Sequence, residues 1–367
     1  MKGMFDFLIV GCGLSGATCA RLLAEKGRRV LVVEKRNHIG GNVYDYYNED
    51  GILVHKYGPH IFHTKEKPVW DFLSKFTKWR LYQHRVFAYV DGMYVPMPIN
   101  LDTINMLYGT VYDEKTVQEF LAAVREEKEQ IANAEDMVLS KVGRGLYEKF
   151  FLGYTKKQWG MHPQELEKEV TARIPVRYNR DNRYFTDPYQ GIPQHGYTKL
   201  IENMLSHPQI SILLNTDYKA VVSEISFDSL IFTGPIDYYF DYKFGKLPYR
   251  SLKFIFETYD QEFFQPVATV NYPNDYEFTR ITEFKHMTGQ RAEKTTIVKE
   301  YPKAEGEPYY PVPCRKSREL YRLYDEEAKK LEKVYFTGRL ATYKYANMDV
   351  VVKDAMDLVD FISASKG

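Results

Sequence analysis

"DFLIVGCGLSGATCARLLAEKGRRVLVVEKRNHIGGN", residues 6–42, decides the fold. Phe7 to Val10 is a short apolar strand. Gly11, Gly13 and Gly16 follow it, then an amphipathic helix through about Lys26 with Gly27 as its stop. "RRVLVVEK" (28–35) is the second strand. The glycine pattern therefore stands inside a complete strand–turn–helix–strand unit, which makes it a dinucleotide fingerprint. The first glycine permits the tight turn, the second lets backbone N–H groups approach a pyrophosphate, and the third lets helix and strand pack closely. The helix N-terminus adds partial positive charge for phosphates. Gly11, Gly13, Ser15 and Gly16 are the cofactor candidates at the turn; Glu34 and Lys35 are those at the end of the second strand. A carboxylate at Glu34 accepts from a ribose 2′-OH and repels a 2′-phosphate, which argues against NADP.

Working outward, the chain of 367 residues is too long for one compact core and fits two or three lobes. Fifty Lys+Arg against 49 Asp+Glu give a net charge of +1, and no electrostatic case for nucleic acid or an anionic membrane as partner. The three Cys, at 12, 19 and 314, have no metal-ligand spacing, and Cys12 and Cys19 read as small core residues, so no metal is expected. No apolar run reaches the ~18 residues of a membrane span, and the first residues lack a basic region and cleavage site. The expectation is a cytoplasmic protein without membrane insertion. Tyr is 31 of 367, which fits either core packing or a pocket that stacks on flat rings and hydrogen-bonds sugar and phosphate oxygens.

Residues 64–80 read as helical, and "VFAYVDGMYVPMPIN" (86–100) as a hairpin turning at Asp91-Gly92 and leaving its sheet at the prolines. From 101 to 170 the pattern is helical and charged, "TVQEFLAAVREEKEQI" being the clearest amphipathic piece. Strand character returns in "ISILLNT" (210–216) and "FDSLIFTGPIDYYF" (227–240), and residues 251–300 alternate like an antiparallel sheet. The chain closes on strand, turn and helix, with Val351, Ala355, Leu358 and Ile362 on one helical face. The fold class is α/β: a Rossmann-like FAD-binding domain with a helical insertion and an antiparallel β-sheet domain. The expected ranges are 1–75 with 190–240 and 315–367 for the discontinuous FAD-binding domain, 101–180 for the helical substrate and lid domain, and 76–100 with 241–314 for the antiparallel sheet. Two further strands end in Thr-Gly ("IFTG", "YFTGR"), and "HIGGN" adds Gly40, Gly41 and Asn42. That layout favours FAD over NAD, since such turns bring backbone close to a bulky cofactor.

At "GPHIFHT" (58–64), "GYTKKQWG" (153–160), "RIPVRYNRDNRYF" (173–185), "EFTRITEFKH" (277–286), "PYYP" (308–311) and "GRLATYKYANMD" (338–349) the chain resembles bacterial UDP-galactopyranose mutases over essentially its whole length. The resemblance implies an FAD enzyme that interconverts UDP-galactopyranose and UDP-galactofuranose, precursor of galactofuranose in cell-surface polysaccharide. It implies that the reduced flavin acts as nucleophile through N5, with no net redox change, and that NAD(P)H or another external reductant supplies the reduced form. By the same resemblance Arg173, Arg280, His60 and His63 are the catalytic candidates, and the two arginines stand near diphosphate and sugar, as guanidinium forks suit phosphate. Tyr154 packs the uracil with Phe150 or Phe151, helical spacing favouring Phe150. Trp159 matches a tryptophan on a mobile lid loop; Tyr184, Tyr345 and either Tyr309 or Tyr310 match diphosphate donors; Asn271 matches a uracil- or sugar-side contact. Arg339 and Met348 join the cofactor set. Relatives acting on the N-acetylated sugar tend to carry Arg where His60 stands, so His60 points to plain UDP-galactose. Asn347 departs from the family, which more often has Asp there. A homodimer or larger homo-oligomer is left open, and the alternative reading is a flavin amine oxidase on the same scaffold.

Overall fold

The computed structural model describes residues 4–364. Its nucleotide part is a parallel five-stranded sheet in the order Ile210–Leu213, Val30–Val33, Phe5–Val10, Phe227–Phe232, Val334–Phe336. Phe7, Leu8 and Ile9 are all fully buried, because helices and loops cover both faces of a parallel sheet and its strands read as continuous apolar runs. The fingerprint helix Leu14–Glu25 packs on one face with the helices Gly196–Leu205 and Met348–Ala364. The chain thus returns twice to its first domain. On the last helix Val352, Ala355, Val359 and Ile362 form the buried stripe, with Val351 and Leu358 on its flanks, a slight rotation from the face expected.

Seven strands make the second sheet, in the order Tyr310–Pro311, Tyr249–Tyr259, Thr295–Lys303, Arg280–Glu283, Thr269–Asn271, Val86–Val90, Met93–Met97. The hairpin turns at Asp91 and Gly92, both at positive φ (51° and 80°), as a two-residue turn requires. Pro96 stays in the sheet opposite Phe87, contrary to expectation: Met93–Met97 is an edge strand, where a missing N–H costs no ladder bond.

Between residues 64 and 80 only Lys67–Ser74 is helical. Phe62–Thr64 and Trp79–Leu81 flank it and both pair with Tyr189–Pro193, so the chain up to Leu81 attaches to the nucleotide part rather than to the second sheet. The helical insertion runs through Leu101–Tyr108, Glu114–Val124, Ala134–Tyr147 and Gly153–Trp159. Asn100 and Asp113 cap the first two by reciprocal bonds with Thr103 and Thr116. The second stops at Val124, earlier than its sequence suggests, because the residues that follow carry charge on every face. A π-helical turn at Glu148–Leu152 joins the last two. Among the described residues no helix is long and apolar enough to cross a membrane. Cys12 and Cys19 are free and buried, their thiols pushed up to about 12 chiefly by burial.

Candidate active site

A cavity of about 610 Å³ runs from the glycine turn to the seven-stranded sheet. Gly11 has φ +100°, and a Cβ there would stand 2.1 Å from Thr233 Oγ1 in the first Thr-Gly turn. A Cβ on Gly16 would stand 2.0 Å from the Gly11 carbonyl oxygen, so the helix sits directly on the strand end. Among the described residues no side chain caps the helix at Gly13, which leaves its first N–H groups available to an anion. Glu34 is buried, and its carboxylate accepts the N–H groups of Cys12 (2.8 Å) and Arg36 (2.9 Å). Gly13, Ser15, Lys35, Gly41, Asn42, Arg339 and Met348 line the same space. Backbone pressed free of side chains, uncapped N–H groups and a placed carboxylate together fit a flavin dinucleotide. Gly16 lies behind the lining and serves packing.

Towards the second sheet the lining becomes cationic and aromatic. Arg280 Nε donates to Glu300 Oε1 at 2.7 Å, and Glu300 is buried. Burial disfavours the Arg280 charge, but the Glu300 carboxylate together with the Tyr154 and Tyr310 phenols outweighs it and holds the guanidinium well above its usual range. Arg173 donates to the Tyr345 hydroxyl at 3.0 Å and lies over its ring at 4.4 Å. Arg339 lies over the Tyr310 ring at 4.9 Å. Tyr310 and Tyr345 are 5.5 Å apart by ring centroids, and Trp159 packs its edge against both. Burial would raise the Tyr345 phenol, but Arg173, then Arg339 and Arg280, bring it below its ordinary value.

His60 lines the cavity with its Nδ1 2.8 Å from the Gly58 carbonyl. A nitrogen facing a carbonyl oxygen must carry the proton, so Nε2 holds the lone pair. Burial, with His55, Arg339 and Arg280 nearby, pushes the His60 imidazolium down to about 3. His63 is bonded to Asp187 at 2.8 Å and stacks on Phe185 at 3.6 Å.

A smaller cavity of about 90 Å³ opens beside the first and shares Tyr154, Arg173, Tyr184, Asn271, Arg280, Tyr310 and Tyr345 with it. Phe150 and Phe151 both line it, because the π turn adds a residue to that turn of helix and brings two successive rings to one side. The i, i+4 spacing that favours Phe150 holds only in an unbroken α-helix. Of the two tyrosines in "PYYP", Tyr310 lines both cavities, whereas Tyr309 turns the other way, towards Tyr57, Phe254 and Glu307. Trp159 ends a helix and is buried at 6 % exposure, so it is a wall of the smaller cavity rather than part of a loop. Sequence reasoning missed His84, which is buried and lines the large cavity beside Arg280 and His63. It also missed Arg36, which lines the cofactor end and donates to Asn42 Oδ1 at 3.1 Å. A lone His and an Arg next to the fingerprint carry no motif of their own.

A family model described as UDP-galactopyranose mutase matches residues 149–345, and one described as an NAD(P)-binding Rossmann-like domain matches 9–76. The chain is 40 % identical over 366 residues to a dTDP-fucopyranose mutase of Escherichia coli, covering 96 % of this chain and 97 % of that protein. It is 32 % identical over 377 residues to a UDP-galactopyranose mutase of Mycoplasma pneumoniae, covering 96 % and 94 %. The fold is that of a solved reduced UDP-galactopyranose mutase, at TM-score 0.79 and 18 % identity over 98 % of this chain and 96 % of that one. Likeness to a bovine flavin-containing amine oxidase A spans 64 residues, 17 % of this chain and 12 % of that protein, which is the extent of a nucleotide-binding segment and not of a shared active site. With a family model over more than half its length and full-length relatives at these identities, the chain belongs to the UDP-galactopyranose mutase family.

Proposed function

We propose that this protein interconverts UDP-galactopyranose and UDP-galactofuranose on bound, reduced FAD, with no net redox change. The observation that carries the reading is the convergence of Arg173, Arg280 and Arg339 with Tyr310 and Tyr345 between the glycine cradle and the aromatic side cavity. A diphosphate brings two negative charges, and guanidinium forks with phenol donors match its oxygens. The side cavity takes the uracil between Tyr154 and the rings of Phe150 and Phe151, with Trp159 as its wall and Asn271 at its rim. Tyr184 lines both cavities, within reach of the sugar and diphosphate in this reading.

The reduced flavin, when bound, supplies the nucleophile for the anomeric carbon, which accounts for a site built without a Ser/His/Asp or Cys/His set. The chain's own residues bind and orient. Gly11, Gly13, Ser15 and the helix start hold the pyrophosphate of the cofactor, and Glu34 its ribose, with Lys35, Gly41, Asn42 and Met348 around them. Arg173 and Arg280 hold the UDP diphosphate in place when it leaves the sugar, so that it is there to return. His60 presents the Nε2 lone pair to a sugar hydroxyl, and its one ring proton stays on Nδ1 towards the Gly58 carbonyl, so it acts as acceptor and not as acid at neutral pH. His63 is oriented by Asp187 at the same wall. Arg339 lines the same cavity and would supply a cation to the reduced flavin. In this reading the enzyme works in the cytoplasm, with NAD(P)H or another external reductant, and its partners are the two nucleotide sugars.

The full-length likeness to a dTDP-fucopyranose mutase favours a second reading, in which base and hexose differ but the ring contraction is the same. One experiment separates them. The holoenzyme is reduced with dithionite under anaerobic conditions and offered UDP-galactofuranose and dTDP-fucofuranose in parallel, and the products are resolved by chromatography. Conversion of UDP-galactofuranose at the higher kcat/KM is expected; preference for the dTDP sugar establishes the second reading, and turnover of neither overturns both. Peroxide formation from an amine in air would instead mark an oxidase.

A further inference from the structure

His55 ends the strand Leu53–His55, directly opposite Asp45 in the short antiparallel pair with Asp45–Tyr47. It is fully buried and lies outside the lining of the large cavity. Its Nδ1 accepts the main-chain N–H of His60 at 3.1 Å. A ring nitrogen that accepts carries no hydrogen, so the proton of the neutral ring sits on Nε2. That Nε2 has no hydrogen-bond partner among the described residues. Asp45 Oδ2 is 4.0 Å away, beyond hydrogen-bond reach, and accepts the Tyr197 N–H at 2.6 Å. The rings of Tyr197 and Phe284 pack at 5.6 and 5.5 Å. Burial pushes the His55 imidazolium down to about 3, so the ring is neutral wherever the enzyme works.

A buried N–H without a partner costs stability. A phenylalanine ring would remove that unpaired N–H but would leave the His60 N–H without its acceptor. What histidine adds here is one acceptor, aimed at the backbone of His60. The loop before His60 is otherwise held by its own bond from His60 Nδ1 to Gly58 and by the close packing of Gly58 on Phe254 and Glu300. Behind His55, Asp45 accepts the N–H groups of Tyr197 and Thr198 at the start of the helix Gly196–Leu205. A rigid path therefore leads from that helix through Asp45 and its paired strand to the peptide of His60.

We propose that His55 is a positioning residue for the mutase reaction: its ring acceptor fixes the Pro59–His60 peptide, and with it the face that His60 turns to the sugar and the flavin. This rests on the mutase reading above. The test compares His55→Phe, which keeps the ring and loses the acceptor, with His55→Asn, whose amide oxygen takes the place of Nδ1. In the reduced holoenzyme His55→Phe is expected to lower kcat about 10- to 100-fold while the Kd for UDP stays within about 2-fold, and His55→Asn to stay within about 3-fold of the wild-type kcat. A folded, yellow His55→Phe with wild-type kcat, or a His55→Asn as slow as His55→Phe, would overturn the proposal. If neither variant folds, nitrogen spectra of the histidine-labelled wild-type holoenzyme decide: an unprotonated His55 Nδ1 bonded to the His60 amide is expected, and a protonated Nδ1 overturns it. A wild type with that tautomer and no turnover of any nucleotide hexose overturns the mutase reading instead.

Discussion

Arg280 and Glu300 stand directly opposite each other on neighbouring antiparallel strands, joined by a 2.7 Å bond from Nε to Oε1. The bond occupies one edge of the guanidinium and leaves the Nη groups towards the cavity. Glu300, buried at 1 % exposure, is the countercharge that lets an arginine keep its charge out of water. Arg280→Ala should therefore keep FAD and lose turnover, by about 30- to 1000-fold in kcat/KM for the roughly 2–4 kcal/mol of one transition-state fork. Glu300→Gln keeps the shape without the charge and should lose turnover in the same direction, by less. Near wild-type kcat/KM in a yellow Arg280→Ala would remove Arg280 from the diphosphate site.

Gly41 tests the cofactor end without touching the substrate end. It has φ +55°, and a Cβ there would stand 2.9 Å from the Gly13 Cα, between the two glycine turns. Gly41→Ala should push the turns apart and weaken FAD binding by at least about 10-fold, roughly the 1.4 kcal/mol that one such strain readily costs. Flavin titration of the apoprotein measures it, and unchanged affinity would show that the two turns do not jointly hold the cofactor.

The nucleotide domain was legible because each glycine of the fingerprint answers to a local clash, and because strands ending in Thr-Gly recur at 232–234 and 336–338 in chain order. The substrate end was legible only as motifs. Tyr309 stands just before the strand Tyr310–Pro311, and neighbours in extended chain point to opposite sides, so sequence says that one faces the cavity but not which. Phe150 and Phe151 broke the helical period because a π turn leaves no mark in composition. His84 was invisible because its role depends on Arg280 and His63, which lie far away in sequence and come together only through the sheet.

These placements make a paired prediction for nucleotide affinity. Phe150→Ala and Phe151→Ala should each weaken UDP binding by about 3- to 10-fold, the range of one aromatic contact beyond simple burial. Tyr310→Phe should also weaken it, and Tyr309→Phe should not. Calorimetric titration with UDP gives all four values. A loss at Tyr309 equal to that at Tyr310 would contradict the orientation of this strand.

Stability should depend on pH in a stated direction. Burial holds His55 and His84 down to about 3, against an ordinary value of 6.5. As pH falls through about 6.5 the unfolded chain takes up protons that the folded protein refuses until near 3. The contribution is therefore complete above 6.5 and lost progressively below it, by about 1.4 kcal/mol per pH unit for each histidine. His84→Gln keeps an acceptor for the Tyr82 hydroxyl and removes one titration. At saturating FAD its urea-unfolding free energy should fall less steeply between pH 6 and 4.5, by about 1.4 kcal/mol per unit. Equal slopes in the two proteins would mean that His84 is protonated in the fold.

Tyr345 yields a prediction about the alkaline side of the rate profile. Its hydroxyl accepts from Arg173 at 3.0 Å, and Arg173, Arg339 and Arg280 together favour the phenolate despite burial. In the free enzyme the phenol should therefore ionise below its ordinary value of about 10, and that ionisation removes a donor and adds negative charge where a diphosphate must bind. Once UDP is seated its own charges oppose the phenolate and push the ionisation back up. The two profiles should separate: kcat/KM, which reports the free enzyme, falls on the alkaline side, whereas kcat, which reports the complex, stays level over the same range. Tyr310 sits 5.5 Å away and shares the arginines, so the falling limb belongs to the pair as a macroscopic ionisation. Tyr345→Phe should abolish the early limb while raising KM by about 3- to 30-fold, the range of a lost hydrogen bond to a charged group. A limb that persists unchanged in Tyr345→Phe, or one that appears equally in kcat, would assign the ionisation to another group.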